Sequence, residues 1–195
     1  MIVVYIILAY LLGSIPVGVV LSKLKGQDPR KAGSGNIGAT NVMRTVGKGL
    51  GILTLAGDIV KGFLPTWLCI HYDQPASIVA ACGLAAFAGH VWPIYLGFRG
   101  GKGVATALGL FLALKPAVIP ILLAVFVFVL LKWRYVSLGS LAGTALMPIL
   151  LVLFGSPLEY IAVSLIVGLL IYYKHRDNIK RLLAGTEHKF RATPA

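Results

Sequence analysis

Seven long apolar stretches make up most of this 195-residue chain, and short polar connectors separate them. They run from Met1 to Leu21, Leu50 to Ile70, Ala76 to Phe98, Val104 to Leu114, Ala117 to Leu131, Leu138 to Phe154 and Leu158 to Tyr173. A helix that crosses a bilayer needs about 20 apolar residues, with a range of about 17 to 25, so the pattern predicts transmembrane helices. The first stretch has neither a basic leading region nor a small-residue cleavage site, and so reads as a retained span instead of a signal peptide. Val104 to Leu114 is the exception in length: eleven residues make about 16 Å of helix, too little to cross alone. Either the glycines before it extend it, or it is one arm of a bent hairpin with the segment after Lys115 and Pro116.

Positive charge favours crossing by all seven. Lys and Arg accumulate in cytoplasmic loops. With the N-terminus outside, residues 22–49, 99–103, 132–137 and 174–195 face the cytoplasm, and sixteen of the eighteen basic residues fall in them. Lys115 remains outside and Lys61 within a span. If the short stretch were only re-entrant, Lys132, Arg134 and the six basic residues of the C-terminal segment would move outside. The sequence therefore predicts a single all-α integral membrane domain, residues 1–195, with seven transmembrane helices, a short fourth span, the N-terminus outside and the C-terminus cytoplasmic.

Composition narrows the class. The chain is 58% apolar and 12% charged, with mean hydropathy +0.89. Soluble domains carry about 45 to 50% apolar and about 25% charged residues, which excludes an ordinary soluble globule and a disordered chain. A net charge of +12 on such a chain must be segregated. Apolar runs with short basic loops point to anionic headgroups or an anionic substrate and away from nucleic acid. Cys69 and Cys82 lie inside apolar runs and read as buried, inert thiols. Asp58 and Lys61, three apart on one helix face, read as an ion pair packed against neighbouring helices. His90 reads as a hydrogen-bonded packing residue. Pro16, Pro65, Pro93 and Pro148 read as tolerable kinks, and the span glycines as sites of close helix packing.

Chemistry concentrates in three polar segments. Between Lys31 and Gly49, Gly33, Gly35 and Gly38 satisfy G-x-G-x-x-G, but no βαβ unit surrounds them, so the dinucleotide fingerprint lacks its context. Glycines let backbone amides converge on an anion, and Ser34, Asn36, Thr40 and Asn41 add neutral hydrogen-bonding groups. Arg44 adds a planar fork for phosphate. The second segment, Gly97 to Gly103, leads into the helix at Val104. Gly100, Gly101 and Gly103 flank Lys102, a point charge at a helix N-terminus. The third, Tyr172 to Glu187, predicts an amphipathic helix that either grips anionic headgroups or presents His175 and Asn178, three apart, to one pocket. Glu187 can brace the basic residues, and Ser137 and Ser140 can lend hydroxyls. Neither glycine cluster is a nucleotide P-loop, and no metal-ligand motif, Cys/His cluster or carboxylate pair is present in these loops. All three segments return to one membrane face, where they are expected to form a cationic, amide-rich pocket open to acyl chains. A transporter would place its sites near the midplane between repeated halves, and a bare scaffold would need neither glycine loop.

Gly-Ser-Gly-Asn-Ile-Gly-Ala-Thr-Asn at 33–41 with Arg44, Gly-His-Val-Trp-Pro-Ile-Tyr at 89–95 with Phe-Arg-Gly-Gly-Lys-Gly-Val-Ala-Thr at 98–106, and Tyr-Lys-His-Arg-Asp-Asn-Ile-Lys-Arg-Leu at 173–182 with Gly185-Thr-Glu187 resemble the three motifs of the bacterial acyl-phosphate:glycerol-3-phosphate acyltransferases, the PlsY family. The resemblance spans essentially the whole chain. It implies transfer of a fatty acyl group from acyl phosphate to the 1-hydroxyl of glycerol 3-phosphate, giving lysophosphatidic acid in the cytoplasmic membrane, with the active site on the cytoplasmic face. It implies active-site roles for Ser34, Arg44, Lys102, His175 and Asn178, a glycerol-phosphate site in the loop around Lys102, and a structural role for Glu187. The partners implied are the two substrates and membrane lipids; the loops, lacking a metal-ligand motif, lead to the expectation of no metal and no cofactor, and a monomer is the expected assembly. The H-x-x-x-x-D signature of acyl-CoA-dependent acyltransferases is absent, which leaves the donor's own phosphate as the expected proton acceptor.

Overall fold

The computed structural model describes residues 2–190, and every regular element in that range is helical. In chain order these are α1 (Ile2–Ser14), α2 (Val17–Lys23), α3 (Ala39–Thr45), α4 (Lys48–His71), α5 (Ala76–Val91), α6 (Val104–Leu114), α7 (Ile119–Trp133), α8 (Val136–Leu153), α9 (Leu158–Lys174) and α10 (Arg176–Leu183). Short 3-10 turns lie at Pro29–Lys31, Ile94–Leu96 and Pro116–Val118. The chain forms two compact units, Met1–Leu114 and Lys115–Ala195.

In the first unit helices meet where glycine removes the side chain. A Cβ on Gly13 of α1 would overlap the Ala86 backbone of α5, and one on Gly62 of α4 would overlap the Thr106 carbonyl of α6. Apolar neighbours gain nothing from water expulsion within lipid, so close backbone approach of this kind supplies the packing. Phe87, Leu110, Val79, Val91 and Val42 are fully buried there. In the second unit Gly139 of α8 packs on Phe126 of α7, and Val118, Leu151, Val167 and Ile171 form the centre. Large apolar side chains such as Val4, Leu53, Phe128 and Leu169 stay exposed along the helices, as a hydrocarbon solvent allows.

Among the described residues four helical segments are long and apolar enough to cross a membrane, or six if each of two bent pairs counts once. Three details refine the sequence reading. The first stretch is not one helix: Pro16 has no N–H to continue the ladder, and α1 and α2 meet at 40°. The third stretch leaves the α-helix after Val91 and finishes as a 3-10 turn. Residues 99–103 do not extend α6, which keeps its eleven residues. The amphipathic segment does form a helix, α10, bent 60° from α9.

Candidate active site

In the first unit, the glycine loop before α3 closes around one side chain. Asn41 is 2% exposed. Its Nδ2 donates to the carbonyls of Pro29 at 2.8 Å, Ala32 at 3.1 Å and Asn36 at 2.8 Å, while its Oδ1 accepts the Ser34 N–H at 2.9 Å. A Cβ on Gly33, whose φ is +61°, would collide with that Oδ1. Asn36 Oδ1 accepts the Gly38 N–H at 2.9 Å and turns the chain into α3. Asn41 therefore spends its amide on the loop backbone, and its place is that of a bracket. Ser34 and Gly35 lie exposed on the loop, and Thr40 and Arg44, four apart on α3, share an exposed helix face. Asn41→Leu should lower the thermal midpoint, since about 2 kcal/mol follows the loss of bonds to one buried and two part-buried carbonyls. It should also open Arg30 and Lys31 to trypsin, and unchanged melting and cleavage would remove the bracket role.

The second loop is pressed against the end of α5. A Cβ on Gly100 would strike the His90 carbonyl and Pro93, one on Gly101 the His90 ring, and one on Gly103 the Phe87 ring. The Gly101 N–H donates to the His90 carbonyl at 3.1 Å, and the Gly103 carbonyl accepts the Ala107 N–H at 2.7 Å. Of residues 100–103 only Lys102, half-buried, has room for a side chain. The loop thus presents one cation amid three side-chain-free backbone positions.

Behind it lies a buried cluster whose members sequence reasoning placed separately. Asp58 Oδ1 is 2.8 Å from Lys61 Nζ and 3.6 Å from His90 Nδ1, and Lys61 Nζ donates to the Ile15 carbonyl at the α1–α2 break at 2.8 Å. Only the Asp58–Lys61 spacing is legible as a pair along the chain.

In the second unit, His175 ends α9 and begins α10, 3% exposed. Its Nδ1 lies 2.8 Å from the Ile171 carbonyl. A carbonyl only accepts, so Nδ1 carries a proton. Asn178 is held by Glu187: its Nδ2 donates to Oε1 at 2.6 Å, where Ser137 Oγ also donates at 2.9 Å, while Arg181 Nε donates to Oε2 at 2.7 Å. Burial alone would raise the Glu187 carboxyl, but the bonds from Asn178, Arg181 and Ser137 outweigh it and hold the group below its ordinary value. Ser140 Oγ donates to the Val136 carbonyl at 2.9 Å, one turn back along α8. Among the described residues no group of three His, Cys, Asp or Glu side chains is placed to hold a metal ion.

All-helical, apolar on its exposed helix faces, and with its polar groups gathered into glycine loops, one buried ionic cluster and one carboxylate-braced corner, the chain is an integral membrane enzyme. It belongs to the glycerol-3-phosphate acyltransferase family, whose model matches residues 3–185. A glycerol-3-phosphate acyltransferase of Geotalea daltonii is 52% identical over 189 residues, 97% of each chain. One of Aquifex aeolicus is 45% identical over 186 residues, 95% of this chain and 97% of that one. The crystal structure of PlsY (YgiH), an integral membrane glycerol 3-phosphate acyltransferase, in its glycerol 3-phosphate form matches with a TM-score of 0.95 at 43% identity, covering 97% of this chain and 96% of that one. Its lysophosphatidic acid form matches with a TM-score of 0.92 at 43% identity, covering 97% and 95%. The expected resemblance to the PlsY family, and with it glycerol 3-phosphate acylation to lysophosphatidic acid, is met.

Proposed function

We propose that the enzyme takes its acyl group from acyl phosphate. The 1-hydroxyl oxygen of glycerol 3-phosphate attacks the acyl carbonyl carbon, the bond from that carbon to the phosphate oxygen breaks, and phosphate leaves with the hydroxyl proton. A mixed anhydride is already activated, so the protein needs to position two anions and stabilise charge, with no acyl-enzyme on the route. The observation that carries this reading is the loop Gly100–Gly103, where backbone packing leaves Lys102 as the sole side chain. Lys102 and Arg44 neutralise phosphate charge. His175 and Asn178 orient the reacting groups, and Ser34 supplies a hydroxyl on the first glycine loop. Gly33, Gly35, Asn36, Thr40, Gly100, Gly101, Gly103 and Ser140 contribute to substrate binding, Asn41 acts by holding its loop, and Glu187 acts by holding Asn178. The glycerol 3-phosphate and lysophosphatidic acid forms of a 43% identical protein supply a substrate and a product that fit this chemistry. Purified protein should convert acyl phosphate and glycerol 3-phosphate to lysophosphatidic acid and reject acyl-CoA. Robust turnover with acyl-CoA, or an acyl group trapped on Ser34, would overturn the donor assignment.

The enzyme works as one domain in the bacterial cytoplasmic membrane, with seven crossings and its polar loops on the cytoplasmic face. A family match that runs from residue 3 to 185 across both compact units supports the single domain, and the placement of sixteen of eighteen basic residues supports the orientation. Cysteines placed at Gln27, Arg99 and Lys189 should label only from the cytoplasmic side, and one at Gln74 only from outside. Opposite labelling of Gln27 and Lys189 would sink seven crossings.

A further inference from the structure

Three ionisable side chains sit almost wholly buried in the first unit, behind the loop that carries Lys102: Asp58 at 2%, Lys61 at 3% and His90 at 3% exposure. A buried ion pair is a weak source of stability, because desolvation of both charges offsets their attraction and apolar replacements often serve as well. Within a membrane-embedded bundle such groups call for another use. Their geometry indicates one. The His90 ring lies between two things: its Nδ1 side faces the Asp58 carboxylate at 3.6 Å, and its Nε2 side fills the space that a Cβ on Gly101 would take. The same residue's carbonyl accepts the Gly101 N–H at 3.1 Å, so Gly101 is fixed from both backbone and ring. At 3.6 Å the Asp58 contact is electrostatic and not a hydrogen bond, yet in a site this dry a carboxylate still orients an imidazole strongly. Lys61 fixes the carboxylate in turn at 2.8 Å. It is itself anchored on the Ile15 carbonyl, ahead of α2, whose Gly18 packs on the Ile37 carbonyl of the first glycine loop.

We infer that Asp58, Lys61 and His90 are positioning residues that set the Gly100–Lys102 backbone for the phosphate of glycerol 3-phosphate. The inference rests on the reading of that loop as the acceptor's phosphate site. None of the three needs to touch substrate. Asp58 sets the ring, the ring and carbonyl of His90 set Gly101, and Gly101 sets the backbone that carries Lys102. The cluster should therefore act on acceptor binding and leave the donor and the chemical step alone.

The test compares steady-state kinetics of full-length purified variants with both substrates varied. His90→Phe keeps a ring against Gly101 but loses the Asp58 contact. Asp58→Asn with Lys61→Met removes both charges together, so neither is left buried alone. Each should raise KM for glycerol 3-phosphate about tenfold, with kcat changed less than about threefold, KM for acyl phosphate unchanged and a thermal midpoint near that of the unsubstituted protein. Combining them should add nothing further, because both act through one ring. If the neutral pair does not fold, Asp58→Glu, which keeps the charge but moves it by a methylene, should give the same KM split. Gly101→Ala tests the underlying reading separately, since its methyl displaces the loop directly. A raised KM in Gly101→Ala with none in the cluster variants overturns the positioning role and leaves the phosphate loop standing. An unchanged KM in Gly101→Ala overturns the phosphate loop and the inference with it. Parallel loss of kcat, both KM values and melting temperature would reduce the cluster to a structural one and also overturn the inference.

Discussion

Lys102→Met is expected to remove nearly all acyl transfer while leaving the fold intact. Methionine matches the length and flexibility of the lysine stem, and Lys102 is half-buried in a loop whose Gly100, Gly101 and Gly103 are packed against His90, Pro93 and Phe87. What is lost is a single positive charge where an acyl phosphate and a glycerol 3-phosphate must approach each other. At about 4 Å and an effective dielectric of about 20, one unit charge pair is worth about 4 kcal/mol. Expressed as a barrier, that is about a thousandfold in rate. His175→Gln should behave differently. If the leaving phosphate takes the proton, the imidazole orients and is not indispensable, and its loss should cost about a hundredfold with measurable turnover remaining. The two variants should be assayed for phosphate release and lysophosphatidic acid together, on protein with wild-type melting behaviour. A Lys102→Met enzyme with a tenth of normal activity would remove the charge argument. A His175→Gln enzyme as silent as Lys102→Met would move the base from the donor phosphate to the imidazole.

The helices were legible because a lipid solvent constrains composition over whole stretches: α4, α8 and α9 lie within a few residues of where the apolar runs place them. A kink at Pro16 was legible too, but not that two separate helices would meet there. Proline in an apolar run either kinks a helix or ends it, and the outcome depends on what receives the freed carbonyl. Here the Ile15 N–H turns to the Leu12 oxygen that Pro16 leaves, while Lys61, 46 residues away, donates to the Ile15 oxygen at the break, and no periodicity reports that. The same limit applies to the polar loops. Glycines around Lys102 could be read as side-chain-free positions, but not that the space belongs to His90 and Phe87. Asn41 has the residue type of a ligand, and only the fold reveals that its amide is turned onto three carbonyls of its own loop. Asp58 and His90 lie in different apolar runs and meet through the packing of α4 and α5. Contacts set by close helix approach are fixed by shape, and shape at that scale has no signature in a single chain.

Glu187 offers the second large effect, through stability and catalysis at once. Its side chain is 6% exposed, and its two oxygens collect hydrogen bonds from Ser137, Asn178 and Arg181. In Glu187→Gln one oxygen becomes an NH2 group that faces donors, so a donor opposes a donor. Leaving such a group unsatisfied costs about 2 kcal/mol and lowers the thermal midpoint. Asn178 loses its fixed orientation, and a displacement on the order of 1 Å there should lower kcat by about a hundredfold. The pH dependence carries the sign of a depressed carboxyl. Against the opposing pull of burial, the three donors and the Arg181 charge hold Glu187 below its ordinary value of 4.5. The unfolded chain therefore takes up the proton first as pH falls, and the contribution is complete above that ordinary value. It is lost as pH drops from there through the lowered folded value. The midpoint gap between the unsubstituted protein and Glu187→Gln should accordingly stay constant near neutral pH and close in acid, read by thermal melts of detergent-solubilised protein. A gap that persists at low pH would show that the carboxylate charge is not what holds Asn178. A Glu187→Gln enzyme with normal kcat would show that Asn178 needs no such hold.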